Sequence, residues 1–191
     1  MEFLDKNTIK LDKVESELDK LVFDFIKIFE KHAKYVIISG YVSILFGRSR
    51  ATEDVDLFIE HISKERFKLL CEDLLKNSYY CLNADDPEEM YDHLKSNLAL
   101  RFAKENTIIP NFEIKFAKNI RQEETLLKPL KVILPSGTIL ISSIEQQIAY
   151  KKFLLKSDKD IEDAAHLEKL FEGKLDNNLI QHYKKLINSG L

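Results

Sequence analysis

The chain has 191 residues, 45% of them hydrophobic and 32% charged, with a formal net charge of −3 at pH 7. That length can bury one sizeable core, and the apolar fraction excludes a disordered chain. The slightly acidic balance excludes a global attraction to nucleic acid, so any such binding needs a local basic patch.

Taken in chain order, Leu11, Val14, Leu18, Leu21, Val22, Phe25, Ile28 and Phe29 recur at helical spacing. They predict an amphipathic helix over residues 10–34. Tyr35-Val36-Ile37-Ile38 reads as a buried strand stopped by Ser39-Gly40, and residues 42–46 as a short helix capped by Gly47. Residues 54–60 alternate as a half-buried strand that puts Asp54 and Asp56 on one face. A helix over 63–76 starts at Ser63 as N-cap. Then come a weak strand at 79–82, an acidic loop at 83–89, and two segments of period two, 97–103 and 111–117. Residues 130–141 read as a hairpin turning at Pro135-Ser136-Gly137. Three helices close the chain, over 142–156, 157–171 and 176–187.

Strands mixed with helices early and helices segregated late predict an α+β fold: a small mixed β-sheet flanked by helices, with a C-terminal helical part. The expected division is an α/β core with its N-terminal helix over 1–141 and the helical part over 142–191.

Two like charges side by side on a strand repel, so the Asp54/Asp56 pair raises the question of what it holds. Side chains two residues apart on a strand stand about 6–7 Å apart, close enough to share a divalent cation. Mg²⁺ takes one or two carboxylates together with phosphate oxygens and water. Backbone N–H groups opening the 42–46 helix could face phosphate oxygens. Arg48 and Arg50 are bidentate donors of the kind that reach phosphates, or else surface residues.

The whole stretch over residues 39–59, SGYVSILFGRSRATEDVDLFI, resembles the opening signature of the nucleotidyltransferase superfamily. It is most similar to the AbiEii-like branch, which includes toxins of toxin–antitoxin pairs. Gly40, Gly47, Arg50, Thr52, Asp54 and Asp56 fall in register with that pattern. Ser39 stands where the first glycine is common, and Tyr41 where some members carry a phosphate-contacting hydroxyl.

The resemblance implies a nucleotidyltransferase fold, Mg²⁺ or Mn²⁺ as cofactor, and a nucleoside triphosphate held by Ser39, Gly40, Arg50 and Thr52. It implies a third acid on a later strand, and Glu113 in NFEIKFA is the candidate, giving Asp54, Asp56 and Glu113 as both catalytic and metal-binding residues. Glu113 would also accept the acceptor's proton; read without the family, Glu113 and Lys115 are equally the wet face of an amphipathic strand. Lys151, with Lys159-Asp160 and Asp163 on the next helix, resembles a second family cluster. There Lys151 would face the triphosphate and Asp160 would orient it. Ser157-x-x-Asp160 also reads as the capped start of a helix.

Between residues 115 and 159 nine Lys/Arg stand against four Asp/Glu. That flank suits a polyanionic acceptor such as RNA or tRNA, although lysines lying over apolar surface explain it as well. The five histidines show no ligand spacing, and Cys71 and Cys81 are too few for a disulfide framework. No apolar run approaches the roughly 20 residues that cross a bilayer. The acidic, interrupted N-terminus does not read as a signal peptide, so no membrane partner and a cytoplasmic location are expected.

The expected function is metal-dependent transfer of a nucleotidyl group from a nucleoside triphosphate to an acceptor, as the toxin of a pair with an antitoxin protein. The alternatives are a nucleotide-sensing or protein-binding relative whose site has decayed, and phosphotransfer to a protein partner.

Overall fold

The computed structural model describes residues 1–189. It opens with an antiparallel hairpin, β1 (Glu2–Asp5) and β2 (Thr8–Lys10), followed by α1 (Glu17–Phe29), β3 (Tyr35–Ile38) and α2 (Gly40–Leu45). Next come β4 (Asp54–Ile59), α3 (Lys64–Lys76), β5 (Tyr79–Cys81), α4 (Pro87–Lys95), β6 (Leu100–Lys104) and β7 (Asn111–Phe116). Then follow α5 (Ile120–Leu127), β8 (Leu130–Leu134), β9 (Gly137–Ile141) and α6 (Ile144–Tyr150). A π-helical turn over Lys151–Leu155, α7 (Asp158–Leu170) and α8 (Asn177–Asn188) complete the described chain. The expected helical part ends in residues 190 and 191, which lie outside the described residues. Among the described residues no helix is long and apolar enough to cross a membrane.

All the strands join one mixed sheet in the order β1-β2-β8-β9-β3-β4-β7-β6-β5. The site depends on its centre, where β4 runs antiparallel to β3 and parallel to β7. The alternation read in residues 54–60 and 111–117 survives here: Val55, Leu57, Phe112 and Ile114 are buried, with their neighbours at positions 54, 56 and 113 on the opposite face. The apolar face is sealed by α1, whose Phe25 stacks on Phe112 with ring centroids 3.8 Å apart. Truncating a buried phenylalanine of this kind typically costs about 3–5 kcal/mol.

Several expectations change. The helix foreseen over 10–34 begins only at Glu17, because Ser16 and Asp19 form a reciprocal capping box. Residues 8–10 instead pair with β8, Leu11 continues that ladder to Ile133, and Val14 is 95% exposed. Residues 87–89 of the acidic loop at 83–89 are helical, since Asp86 caps α4 and Pro87 occupies its first turn, where a missing N–H costs nothing. The helix α5, capped by Asn119, was not foreseen, because its eight residues carry too short a pattern to show a period. The strand β1 at Glu2–Asp5, which pairs with β2, was not expected. Strands β3 to β9, the hairpin at Pro135–Gly137, α3 with its Ser63 cap, and the three closing helices stand within a few residues of expectation. The first of those closing helices gives way to the π-helical turn at Lys151 and stops at Lys156, whose φ of 61° is left-handed.

Candidate active site

Register places the acids. Asp54 pairs with Asn111 and Asp56 with Glu113 across β4 and β7, and Arg101 of β6 pairs with Glu113 on its other side. Asp54, Asp56, Glu113, Lys115 and Arg101 thus share one face of three adjacent strands. Asp54 and Asp56 remain partly open to solvent, while Glu113 is 8% exposed. Burial, then the neighbouring charge of Asp54, push the Asp56 carboxyl up to about 6, with Lys115 and a hydrogen bond from Ser39 pulling part of the way back. Thr52 donates its hydroxyl to the Asp54 carbonyl at 2.8 Å and approaches the Asp54 carboxylate at 3.4 Å, which steadies the entry to the strand.

Glu113 is held differently. Lys115 Nζ lies 2.5 Å from one of its oxygens and Arg101 Nε 2.9 Å from the other. Burial alone would raise the Glu113 carboxyl, but these two cations outweigh it and hold it below the ordinary range. Among the described residues no three His, Cys, Asp or Glu side chains stand placed to hold a metal ion. The Asp54/Asp56 pair by itself fits Mg²⁺: two adjacent carboxylates on one strand, both partly open to solvent. Glu113 lies beside them with its charge already matched.

The turn above the acids is strained. Ser39 sits at φ 65° and ψ −135°, a conformation natural to glycine, at a cost of order 1–3 kcal/mol. This accounts for the glycine common at that place in the resembling pattern. Gly40 leaves the space that Arg50 occupies: a Cβ there would stand 2.0 Å from Arg50 Nη2 and 3.5 Å from Thr52 Oγ1 and would push the guanidinium aside. The Arg50 guanidinium therefore rests directly on the first residue of α2. Tyr41 points the other way, fully buried, its hydroxyl 2.8 Å from the carboxylate of Asp19. Lys13 closes that buried pair at 2.9 Å from Asp19, so the Tyr41 hydroxyl belongs to the core and not to the turn.

A second cluster ties the C-terminal helices to this turn. Lys151, 1% exposed, reaches Asp163 at 2.9 Å and Asp160 at 3.4 Å. Arg50 Nη1 stands 3.6 Å from Asp163 and Arg48 Nε 3.5 Å, with Arg48 also paired to Glu162. The Nε atoms of Arg48 and Arg50 and one oxygen of Asp163 are buried without a hydrogen-bond partner. Three cations face three carboxylates here, Glu162 exposed and Asp160 and Asp163 buried, and the unpaired guanidinium Nε donors are of the kind that bind an anion. Asp160 also meets the hydroxyl of Ser157, its helix N-cap, which is the capped helix start read there.

The structure thus brings Asp54, Asp56, Glu113, Ser39 and Thr52 to one side of the turn. It brings Gly40, Arg50, Lys151 and Asp160 to the other, through Asp163. Sequence reasoning passed over Arg101 and treated Lys115 only as a surface residue; the alternation of LRFAK was the signal that Arg101 shares the Glu113 face. A larger concavity of about 1130 Å³ lies between the N-terminal hairpin, β8 and α8. Volume alone does not make it the site: it contains none of these acids, and its Asp176 and Lys128 are engaged by the α8 cap and Glu124.

No family model and no curated protein matches the chain. Solved structures do. An antigenic nucleotidyltransferase-like protein from Paracoccidioides brasiliensis is 16% identical over 91% of this chain and 88% of its own, with a TM-score of 0.51. The antibiotic-resistance factor ANT(2'')-Ia in complex with adenylyl-2''-tobramycin is 12% identical over 92% and 99%, with a TM-score of 0.57. The solution structure of ANT(2'')-Ia gives 12%, 90%, 94% and 0.52. At such identities the likeness is one of fold, and the fold is nucleotidyltransferase-like.

Proposed function

We propose that the chain is a metal-dependent nucleotidyltransferase that moves a nucleotidyl group from a nucleoside triphosphate to an acceptor hydroxyl. The observation that carries this reading is the Asp54/Asp56 pair, side by side on β4 directly below the strained Ser39–Gly40 turn, in a nucleotidyltransferase-like fold. Mg²⁺ or Mn²⁺ held by Asp54 and Asp56 would supply charge neutralisation at the transferring phosphorus. The chain's own residues do the rest. Ser39 stands beside Asp56, where β3 ends opposite β4, and Thr52 fixes the start of β4. Arg50, seated on Gly40, and Arg48 present donors toward phosphate oxygens, while Lys151 and Asp160 hold the helices that complete the corner. Glu113 is the base for the acceptor hydroxyl once its cations release it.

The acceptor side favours an anionic substrate. Arg101 and Lys115 flank the acids there, which suits a nucleic-acid end and opposes a polycation. An RNA acceptor, and action as the toxin of a toxin–antitoxin pair with its antitoxin as partner, extend the same reading. The basic flank supports it only in part, since Lys128 and Lys152 are engaged by Glu124 and Glu168 and Lys151 is buried.

A second reading, a nucleotide-sensing relative without transfer, is favoured by one observation: the carboxylate of Glu113 is committed to Arg101 and Lys115. Incubating the protein with each α-labelled triphosphate, total RNA, a protein extract and Mg²⁺ decides between them. Label transferred by the parent and not by Asp56→Asn supports the transferase. Label in protein rather than RNA changes the acceptor, and saturable triphosphate binding without transfer supports the sensor.

A further inference from the structure

The two cations on Glu113 are arranged unequally with respect to the acid they hold. The Glu113 carboxylate is nearly sealed, yet the side chains of Arg101 and Lys115 are 55% and 42% exposed. A sealed acid cannot turn to water, whereas an exposed lysine can leave at little cost, because its ammonium regains full hydration. Lys115 sits two residues along β7 from Glu113, on the face it shares with Asp56, and its charge is felt at Asp56 as well as at Glu113. One lysine therefore partly neutralises two members of the acid set. Arg101 and Lys115 together offset two of the three carboxylate charges, and both oxygens of Glu113 are committed to them.

We infer that Lys115 is a built-in counter-ion: it suppresses metal binding by the empty site and makes that binding depend on the nucleoside triphosphate. The inference rests on the transferase reading above. When the triphosphate arrives, its own charge restores the negative balance beside Asp54 and Asp56. Lys115 then exchanges Glu113 for phosphate or water, and Glu113 is freed beside Asp56.

The test is Mn²⁺ binding in the absence of turnover, read from the electron paramagnetic resonance signal of free Mn²⁺. Binding is measured with and without a mixture of the four α,β-methylene triphosphates. The parent should bind Mn²⁺ weakly alone and much more tightly with the analogues. Lys115→Gln should bind Mn²⁺ alone about tenfold more tightly than the parent, the scale set by one unit charge a few ångströms from the ion. Lys115→Arg should restore parent behaviour. Arg101→Gln, changed at the more exposed partner, should shift in the same direction by less, and serves if the first variant does not fold. The control Lys118→Gln should leave binding unchanged. If Lys115→Gln and Arg101→Gln bind Mn²⁺ alone no better than the parent, while analogues still tighten binding in all of them, Lys115 is not the counter-ion and the transferase reading stands. An equal gain in Lys118→Gln overturns the inference too, since the effect would then be one of general charge. If no form binds Mn²⁺ with or without analogues, the transferase reading fails and takes the inference with it.

Discussion

Two charge clusters meet at the Ser39–Gly40 turn, and they are built on opposite terms. On the sheet, Asp54, Asp56 and Glu113 form an acid floor whose balancing cations, Arg101 and Lys115, are open to water. On the helical side, Lys151 and Asp163 are sealed in a corner with Arg48, Arg50 and Asp160. Ser39 touches the first through Asp56, and Gly40 the second through Arg50. A charge whose partner is exposed can exchange that partner for a ligand; a charge whose partner is sealed can only be lost with the packing around it. The floor is thus suited to exchange and the corner to holding geometry, although both are made of the same residue types.

The sharpest way to break this comparison is to remove the hub of the corner. Asp163→Ala leaves Lys151 and two arginines facing one remaining buried carboxylate, and should cost about 3–5 kcal/mol of stability in denaturant unfolding. A cost below about 1 kcal/mol would show that the corner is hydrated and no different in kind from the floor.

The floor should respond with the opposite sign. Asp56 titrates near 3.8 when unfolded and at about 6 when folded. The folded state binds more protons between those values, so the ionised carboxylate destabilises fully above pH 6, and its cost disappears below 3.8. Asp56→Asn keeps the shape and removes the charge. It should melt higher than the parent at neutral pH, by on the order of 2–3 kcal/mol, and no differently near the unfolded pKa. Added Mg²⁺ should stabilise the parent and not the variant when triphosphate is present. A variant that melts lower in chelator at neutral pH would mark Asp56 as a structural acid.

Glu113→Gln should cost about 1 kcal/mol, less than Asp163→Ala although both acids are buried, because Arg101 and Lys115 can turn to solvent when their partner goes. Thermal melts of the two variants side by side measure that difference directly.

The smallest effect is expected at the turn itself. Ser39→Gly relieves the left-handed backbone but removes the hydroxyl beside Asp56 and gains unfolded-chain entropy. The net change should lie within about 1 kcal/mol of zero. Any loss of triphosphate affinity beyond it would then report on Asp56 positioning. Parallel calorimetry and triphosphate titration separate the two.

How much of this was legible depended on whether a feature was local. The signature over residues 39–59 and the period-two alternation of NFEIKFA are local patterns, and they led to Asp54, Asp56, Glu113, Gly40 and Arg50 as neighbours of one turn. The capping box at Ser16 and Asp19 was equally present in the chain, but a helical period running on through Leu11 and Val14 masked it. The strand at Thr8–Lys10 could not be foreseen, because its partner, β8, lies more than a hundred residues away. Tyr41 stands in the motif where some members carry a phosphate-contacting hydroxyl, and only the structure shows that a buried carboxylate from another helix holds its hydroxyl in the core.

By itself the sequence determined which residues alternate, where most helices start, and that two carboxylates must stand together on one strand, since strand geometry allows nothing else for Asp-x-Asp. Only the tertiary structure decided who their neighbours are. It set β7 parallel to β4 in a register that puts Glu113 beside Asp56, and brought Arg101 from β6 to its other side. It also folded α7 back so that Asp163 meets Arg48, Arg50 and Lys151. These are contacts between segments separated by tens of residues. They arise because each apolar face and each buried charge had to be satisfied at once, which no single stretch of the chain expresses.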